Sequence, residues 1–154
     1  MTTTTLECII KQQPFFADFP NKHLKLIVSC ARNVRFDEGH ALFHEGDVAD
    51  QFYLVREGAV AVSVITPKGC VTVQTVGDGD ILGWSWLFPP HRWHFDARVV
   101  RPTRALAFDG KCLRTKCDKD HDLGYELLRR FTRLVVERLE ATRLQLLDIY
   151  GKNT

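Results

Sequence analysis

The chain has 154 residues, 45% of them hydrophobic, and its 21 Lys and Arg nearly balance 19 Asp and Glu, which gives a net charge of +2. This composition excludes an intrinsically disordered protein and a strongly basic binder of polyanions. No stretch approaches the roughly 18 consecutive apolar residues of a membrane helix, and the opening residues lack the features of a signal peptide. We therefore expect one globular domain over residues 1–154, in the cytoplasm and without membrane contact.

Five cysteines are scattered along the chain, at positions 8, 30, 70, 112 and 117. An odd number without regular spacing is typical of reduced thiols in a cytoplasmic protein and not of a disulfide framework. They also do not form a close cluster with metal-ligand spacing. We expect buried, apolar thiols and no metal site.

Two short helices are predicted in residues 1–33, before the β region. The first covers residues 6–11 and ends before Pro14, because proline disfavours helical geometry in the residue that precedes it. The second opens at Pro20 and Asn21, has apolar residues at helical spacing and ends near Ala31. Three aromatic residues between these helices are predicted to anchor the core: Phe15, Phe16 and Phe19.

Residues 34–108 alternate between apolar and polar side chains, which predicts short β-strands. Glycines recur between them and let the chain turn back repeatedly, which is typical of an all-β sandwich or barrel. The predicted strands cover residues 52–55, 59–65, 71–76, 98–101 and 104–108, with a hairpin turn at 67–69 and a break at Pro102.

Two helices are predicted in residues 109–150. Asp109 can cap a short one, and a long one covers residues 123–149, or about 40 Å at 1.5 Å per residue. A second stripe on the long helix (127, 131 and 134) is predicted to pack on the β region. The main apolar stripe has the 4-3-4-3 spacing of a coiled-coil seam: Val135, Leu139, Thr142, Leu146 and Ile149. We expect this seam to pair with a second copy in a homodimer, and the alternative is that it packs on its own domain.

The glycine-rich pattern resembles a known family. Phe-x-x-Gly-x-x-x-Phe-x-Glu-Gly-Asp at 36–47, Phe-Tyr-Leu-Val-x-x-Gly-x-Val-x-Val at 52–62 and Gly-Asp-x-x-Gly at 79–83 resemble the cyclic-nucleotide-binding domain of catabolite-activator-type regulators. The resemblance implies a mainly β fold with flanking helices: a β-roll, or double-stranded jelly roll of cupin-like shape, with a long C-terminal dimerisation helix. In the regulators this helix leads into a helix-turn-helix domain. Only Asn153 and Thr154 follow Lys152 in this sequence, so we expect no helix-turn-helix domain and no direct DNA binding.

The same resemblance identifies residues 83–97 as the phosphate-binding cassette. Family members use a glutamate for the ribose and an arginine followed by serine or threonine for the phosphate. Gly83 and Ala97 match the cassette, but Trp84 stands in the glutamate position, Phe95 in the arginine position and Asp96 in the hydroxyl position. An enclosed phosphate without its cation is strongly disfavoured. We therefore do not expect cyclic AMP or cyclic GMP to bind in the usual way.

The cassette is unusually rich in aromatic residues, and its role stays open at this point. The rings could fill the ancestral cavity, or they could form a stacking platform for an unidentified small molecule, a nucleotide or a partner. Arg92 could replace the missing arginine or lie on the surface, and Thr142 could reach a ligand or only belong to the seam. The candidate pocket residues are Gly83, Trp84, Ser85, Trp86, Leu87, Phe88, Arg92, Trp93, Phe95, Asp96, Ala97 and Thr142.

Three function classes remain to be compared. We expect a non-catalytic regulatory module that acts as a homodimer and signals to a separate protein partner. The alternative is an accessory or docking subunit of a larger assembly, for example a redox enzyme complex. An enzyme is not expected, because His40, His44 and Glu45 do not complete a cupin metal set and no nucleophile–base pair is present. His91 and His94 flank Trp93 without further matching ligands, so no metal or cofactor is assigned.

Overall fold

Two long antiparallel strands form the centre of the protein, and both arise from sequences rich in β-branched and small residues. The computed structural model describes residues 2–152, with side chains from 6 to 151. The strands are β1 Ala31–Phe36, β2 Ala41–Phe43, β3 Gln51–Thr66, β4 Gly69–Val76, β5 Ile81–Leu82 and β6 Asp96–Asp109. The helices are α1 Thr2–Lys11, a 3₁₀ helix Pro14–Phe16, α2 Asn21–Val28, α3 Gly110–Lys119 and α4 His121–Lys152.

The six strands form one antiparallel sheet in the order β1-β6-β3-β4, in which β2 also pairs with β6 and β5 with β3. Strand β3 pairs with β6 from Gln51 opposite Asp109 to Ser63 opposite Asp96, with register shifts around Gly58. Irregular pairing of this kind bends and twists a strand. The fold class expected from the sequence is confirmed: a β-roll with flanking helices and a long C-terminal helix.

The predicted break at Pro102 is wrong, because β6 runs through it as one strand. Proline lacks the N–H that a ladder needs, so it is tolerated only where no ladder bond is required. Arg101 pairs with Ala59 and Thr103 pairs with Phe36, while Pro102 itself is exposed and has no ladder partner. In the same way, the predicted strands at 52–55 and 59–65 are parts of the continuous β3.

Several predicted boundaries shift by a few residues. Helix α2 ends at Val28 and β1 begins at Ala31, so the sheet starts three residues before the predicted position 34. The predicted turn at 67–69 is confirmed, since it joins β3 to β4. The predicted cap is also confirmed, because the Asp109 carboxylate accepts the Cys112 N–H at 3.0 Å at the start of α3.

The buried apolar residues form two separate clusters. The helix-side core contains Phe16, Phe52, Trp86, Phe108 and Phe131, all nearly or fully buried, and joins α1, α2, α3 and the first half of α4 to the sheet. The roll core lies inside the curved strands and is built largely from valines with a few aromatic rings. The predicted aromatic anchors Phe16 and Phe19 are buried in the helix-side core, and Phe15 is half-buried against it.

Helix α4 changes character along its length. Leu127 and Phe131 are fully buried and Leu134 packs at the edge of the helix-side core, as predicted from their spacing. Residues 139–151 are all exposed and include large apolar side chains. Among the helices of residues 2–152, none combines the length and the apolar character needed to cross a bilayer.

The prediction of five reduced thiols is wrong for Cys30 and Cys112, which form a disulfide. Their Cα atoms are 6.1 Å apart although 82 residues separate them in the sequence. This Cα separation lies within the usual range for disulfides. The bond joins the segment between α2 and β1 to α3. Cys8 and Cys70 are free and exposed, and Cys117 is free and half-buried. The prediction that the thiols are buried is therefore wrong for Cys8 and Cys70 and holds only in part for Cys117.

Candidate functional site

The cassette, residues 83–97, connects the short strand β5 to the long strand β6. It begins at Gly83, whose φ of +97° lies in the left-handed region that favours glycine. It ends at Ala97, which is buried and pairs with Val62 of β3. The cassette therefore joins two strands that both pair with β3.

Trp93 closes the space above Gly83. A Cβ atom built on Gly83 would lie 2.5 Å from Cη2 of Trp93, so no side chain fits there without moving the ring. The Trp93 ring stacks on Phe43 of β2, with centroids 3.7 Å apart and planes 7° from parallel. Trp93 is only 4% exposed and belongs to the roll core. The indole thus occupies interior space as a packed core side chain.

Backbone hydrogen bonds hold Trp93 in this position. Its N–H donates to the carbonyl of Asp47 at 3.0 Å, and its carbonyl accepts the N–H of Gly46 at 2.8 Å. The exposed Arg92 guanidinium donates to the carbonyl of Gly46 at 2.8 Å. The second half of the cassette is therefore fastened to the turn between β2 and β3, and Arg92 contributes to that attachment.

Phe95 and Asp96 are the residues that the family resemblance assigns to the phosphate-contact positions. Phe95 is half-buried, with its ring centroid 5.9 Å from those of Phe43 and Trp84. The Asp96 carboxylate accepts the N–H of Glu45 at 2.7 Å and lies 3.5 Å from Nδ1 of His44. Asp96 therefore caps the turn between β2 and β3. Phe95 thus provides an aromatic surface, and the negative charge of Asp96 is hydrogen-bonded within its own turn contacts.

Trp84 connects the cassette to α4. The guanidinium of Arg138 lies 5.0 Å from the Trp84 ring centroid, a cation–π arrangement, and also donates to the carbonyl of Ile81. Burial lowers the pKa of Arg138, and the nearby carboxylates of Asp80 and Glu137 oppose that change. The Arg138 charge is thus held between the cassette and the long helix.

The remaining candidate residues range from fully buried to exposed. Trp86 is fully buried in the helix-side core, stacked on Phe52 at 5.1 Å and edge-on to Phe131 at 5.4 Å. Ser85 is buried and Leu87 packs at the edge of the same core. Phe88 is 40% exposed. Thr142 is exposed, and its hydroxyl donates to the carbonyl of Arg138 at 2.9 Å.

The predicted seam residues lie mainly in the exposed part of α4. Val135 is half-buried, whereas Leu139, Leu146 and Ile149 are 64%, 50% and 56% exposed. These three project from one helix face beyond the body of the protein. Thr142 lies among them on the same face.

Two residues that contact the cassette were missed by the sequence analysis as site residues. Phe43 was read only as part of the glycine-rich family pattern, although that pattern places it next to the turn that holds Trp93. Arg138 precedes Thr142 by one helical turn, so it shares the stretch of α4 that was already under consideration. Within the side chains that the structure describes, no group of three or more His, Cys, Asp or Glu residues is arranged to hold a metal ion.

Comparisons with known proteins agree with this architecture. The family model for the cyclic nucleotide-binding domain matches residues 33–120, more than half of the chain. A CRP-like cAMP-activated global transcriptional regulator of Mycobacterium tuberculosis is 29% identical over 117 residues, which cover 75% of this chain and 50% of that protein. The chain thus spans about half the length of this curated relative.

Solved structures match most of the chain. A cyclic nucleotide-binding protein from Geobacter metallireducens superposes with a TM-score of 0.77 at 28% identity, covering 90% of this chain and 98% of its own. A cyclic nucleotide-binding domain from Methylobacillus flagellatus superposes with a TM-score of 0.79 at 23% identity, covering 95% and 83%, and supports the fold alone. Given the matched family model and the cassette between β5 and β6, this chain belongs to the cyclic nucleotide-binding domain family.

Proposed function

We propose that this chain is a non-catalytic sensory module whose roll does not bind cyclic AMP or cyclic GMP in the usual way. In this proposal the chain forms a homodimer through α4 and signals to a separate protein partner. The observation that carries it is the Trp93 ring, packed against Gly83 and stacked on Phe43 inside the roll. A cyclic nucleotide would have to displace a buried aromatic side chain.

The charges of the cassette support the same proposal. Phe95 supplies no positive charge, and the Asp96 carboxylate lies where a phosphate would be repelled. The nearby Arg92 is committed to the carbonyl of Gly46 on the surface. A buried or enclosed anion without a cation is penalised by several kcal/mol. Steric and electrostatic terms therefore act in the same direction.

The side chain of Arg138 connects the cassette to the long helix. Arg138 joins Trp84 of the cassette to α4, and the exposed seam begins one residue later at Leu139. A change in the position of the cassette would therefore alter the contacts of α4 directly. In a dimer, this would change the packing of the paired helices, which a partner can recognise.

The second candidate is an accessory subunit that docks on a larger assembly. It is favoured by apolar side chains on α4 that lie away from the seam: Leu144 and Leu147 are 64% and 57% exposed. A dimer through the seam does not cover these residues. Apolar surface of this kind is typical of protein–protein contacts.

The test is isothermal titration of the protein with cyclic AMP and cyclic GMP, with the Mycobacterium tuberculosis relative as positive control for cyclic AMP. We expect no saturable heat for this chain, and native mass spectrometry should give the mass of two protomers. Saturable binding of cyclic AMP would contradict the proposed state of the roll. A monomer with an additional protein bound to α4 would favour the docking subunit instead.

A further inference from the structure

A groove outside the roll runs between the N-terminal segment, the turn before β5 and α4. Its cavity volume is about 230 Å³, and we call it the helix groove. On a helical projection its α4 residues (130, 133, 134 and 137) lie almost opposite the seam, so a dimer through the seam leaves the groove open. Its walls are Pro14, Phe15, Gly79, Asp80, Ile81, Arg130, Arg133, Leu134 and Glu137.

One end of the helix groove carries positive charge that is incompletely neutralised. The Arg130 side chain is only 10% exposed, and its Nε lies buried without a hydrogen-bond partner among the described residues. Its carboxylate partner, Glu126, lies 3.6 Å away and also pairs with Arg129 at 3.4 Å. Arg133 follows on the same face. A buried guanidinium usually has every N–H satisfied, so this end is suited to an additional carboxylate.

The other end of the groove carries negative charge. Glu137 lies one turn after Arg133, and Asp80 faces it from the turn before β5. Neither Arg133 nor Glu137 is among the ion pairs of the described residues. Arginine placed four residues before glutamate is the less favourable order for pairing within a helix. Asp80 and Glu137 share the single guanidinium of Arg138, which also donates to the carbonyl of Ile81, so this end keeps a net negative charge for a ligand that carries both signs.

The middle of the groove is apolar. Its lining includes the apolar residues Pro14, Phe15, Ile81 and Leu134, of which Leu134 lies between Arg133 and Glu137 along α4. Arg133 and Glu137 are separated by about 6 Å along the helix axis, at 1.5 Å per residue. A short hydrocarbon chain with a charged group at each end matches this sequence of surfaces.

We propose that the helix groove binds a small linear zwitterion, with its carboxylate at Arg130 and Arg133 and its ammonium group at Glu137 and Asp80. The inference deepens the proposed sensory function, on which it rests, because it places the signal outside the filled roll. A ligand there would touch the N-terminal segment, the turn leading to the cassette and α4 at once. Occupancy would favour one orientation of α4 relative to the roll.

The test uses 6-aminohexanoate with two compounds that each lack one charge, hexanoate and hexylamine. Calorimetric titration of the full chain should show that 6-aminohexanoate binds at least about tenfold more tightly than either control compound. Arg133→Gln and Glu137→Gln should each weaken its binding by a similar factor. Arg104→Gln, at an exposed arginine of β6 outside the groove walls, should leave the affinity unchanged.

The variants also separate the two ends of the ligand. In Glu137→Gln the advantage of 6-aminohexanoate over hexanoate should fall, because one of the two carboxylates that recognise the ammonium is gone. Absence of binding by 6-aminohexanoate, equal binding of all three compounds, or an equal loss in Arg104→Gln would each overturn the inference. None of these results bears on the cyclic-nucleotide titration or the dimer mass, so the failure of the site and of the proposed function are distinguishable.

Discussion

The ring of Trp93 lies where a side chain on residue 83 would have to go. A glycine at position 83 is therefore needed for the indole to pack there. Gly83 supplies both a positive φ and an absent Cβ, while Phe43 supplies the parallel surface on which the indole packs. Aromatic pairs of this kind add to the free energy of burial. The cassette is therefore held together by side-chain packing, and substitution of single residues in it should change the free energy of unfolding.

Replacement of Gly83 should separate the effect of backbone strain from that of lost space. Gly83→Ala combines a positive φ of +97° with a clash against Trp93, whereas Gly46→Ala has a similar φ of +90° and open space around its Cβ. We expect Gly46→Ala to lower the free energy of unfolding by about 1–2 kcal/mol. Gly83→Ala should cost about 1–3 kcal/mol more. Urea unfolding measures both, and equal losses would contradict the packing of Trp93.

A second residue-scale prediction concerns alkaline pH. Burial raises the pKa of the Cys117 thiol to about 11, with smaller contributions from Asp118 and Asp120. In the unfolded chain this thiol ionises near 9.0, while in the folded protein it keeps its proton. Since the unfolded state releases the proton first, the stabilisation is complete below pH 9 and is lost as the pH rises towards 11.

Unfolding free energy measured from pH 8.5 to 11 should therefore fall less steeply in Cys117→Ser than in the wild type. We expect a difference of about 1 kcal/mol, well below the full value of the shift, because the thiol is only partly buried. Cys70→Ser, at an exposed thiol, is the matched control and should follow the wild type. Identical slopes for all three proteins would show that Cys117 does not contribute.

At the scale of elements, the two halves of α4 lie in different environments. Its first half is part of the helix-side core through Leu127 and Phe131, while its second half is exposed. A long exposed helix with an apolar seam is poorly stabilised alone, since most helical stability in proteins comes from packing of the apolar face. The seam spacing indicates a paired helix as its natural partner.

Two leucines of equal exposure test this pairing. Leu139 on the seam and Leu144 away from it are both 64% exposed. Leu139→Asp should convert the dimer to a monomer, because it places a charge in the paired apolar surface, whereas Leu144→Asp should remain dimeric. Native mass spectrometry at matched protein concentration distinguishes the two. A wild type that is already monomeric, or a loss of pairing in both variants, would contradict the seam.

At the scale of the whole molecule, the disulfide connects parts of the chain that the sheet alone leaves separate. Cys30 lies between α2 and β1, and Cys112 lies in α3, which leads directly into α4. The bond therefore ties the N-terminal helices to the segment that carries the long helix. Lys116 of α3 adds a hydrogen bond to the carbonyl of Leu26 at 3.1 Å.

Loss of this bond should destabilise the entire fold. For a sequence separation of 82 residues the loop-closure estimate is about 4.5 kcal/mol, and native disulfides typically contribute about 2–5 kcal/mol. Cys30→Ser combined with Cys112→Ser should show this loss in urea unfolding. The exposed thiols provide the control, since Cys8→Ser with Cys70→Ser should behave like the wild type. Equal stability of oxidised and reduced wild type would contradict the bond.

The sequence by itself determined the fold class, the glycine-rich family pattern, the Asp109 cap and the 4-3-4-3 seam spacing. These features are local: a turn needs a residue that accepts positive φ, and a helix face repeats every three or four residues. The sequence also predicts that the ribose and phosphate contacts of the family are missing, because this prediction depends only on which residues stand at positions 84, 95 and 96. The continuity of β3 and β6 could not be predicted from the sequence. Pro102 in β6, for example, is tolerated only because no ladder hydrogen bond falls at that residue.

Tertiary structure decided which distant residues meet. The stacking of Trp93 on Phe43, the contact of Arg138 with Trp84, the Cys30–Cys112 bond and the helix groove all join segments that are far apart in the chain. Local patterns carry no information about such distances, because they arise only when the sheet curves and α4 folds back over it. Whether an aromatic cassette is an open platform or a packed interior is for this reason a property of the folded molecule.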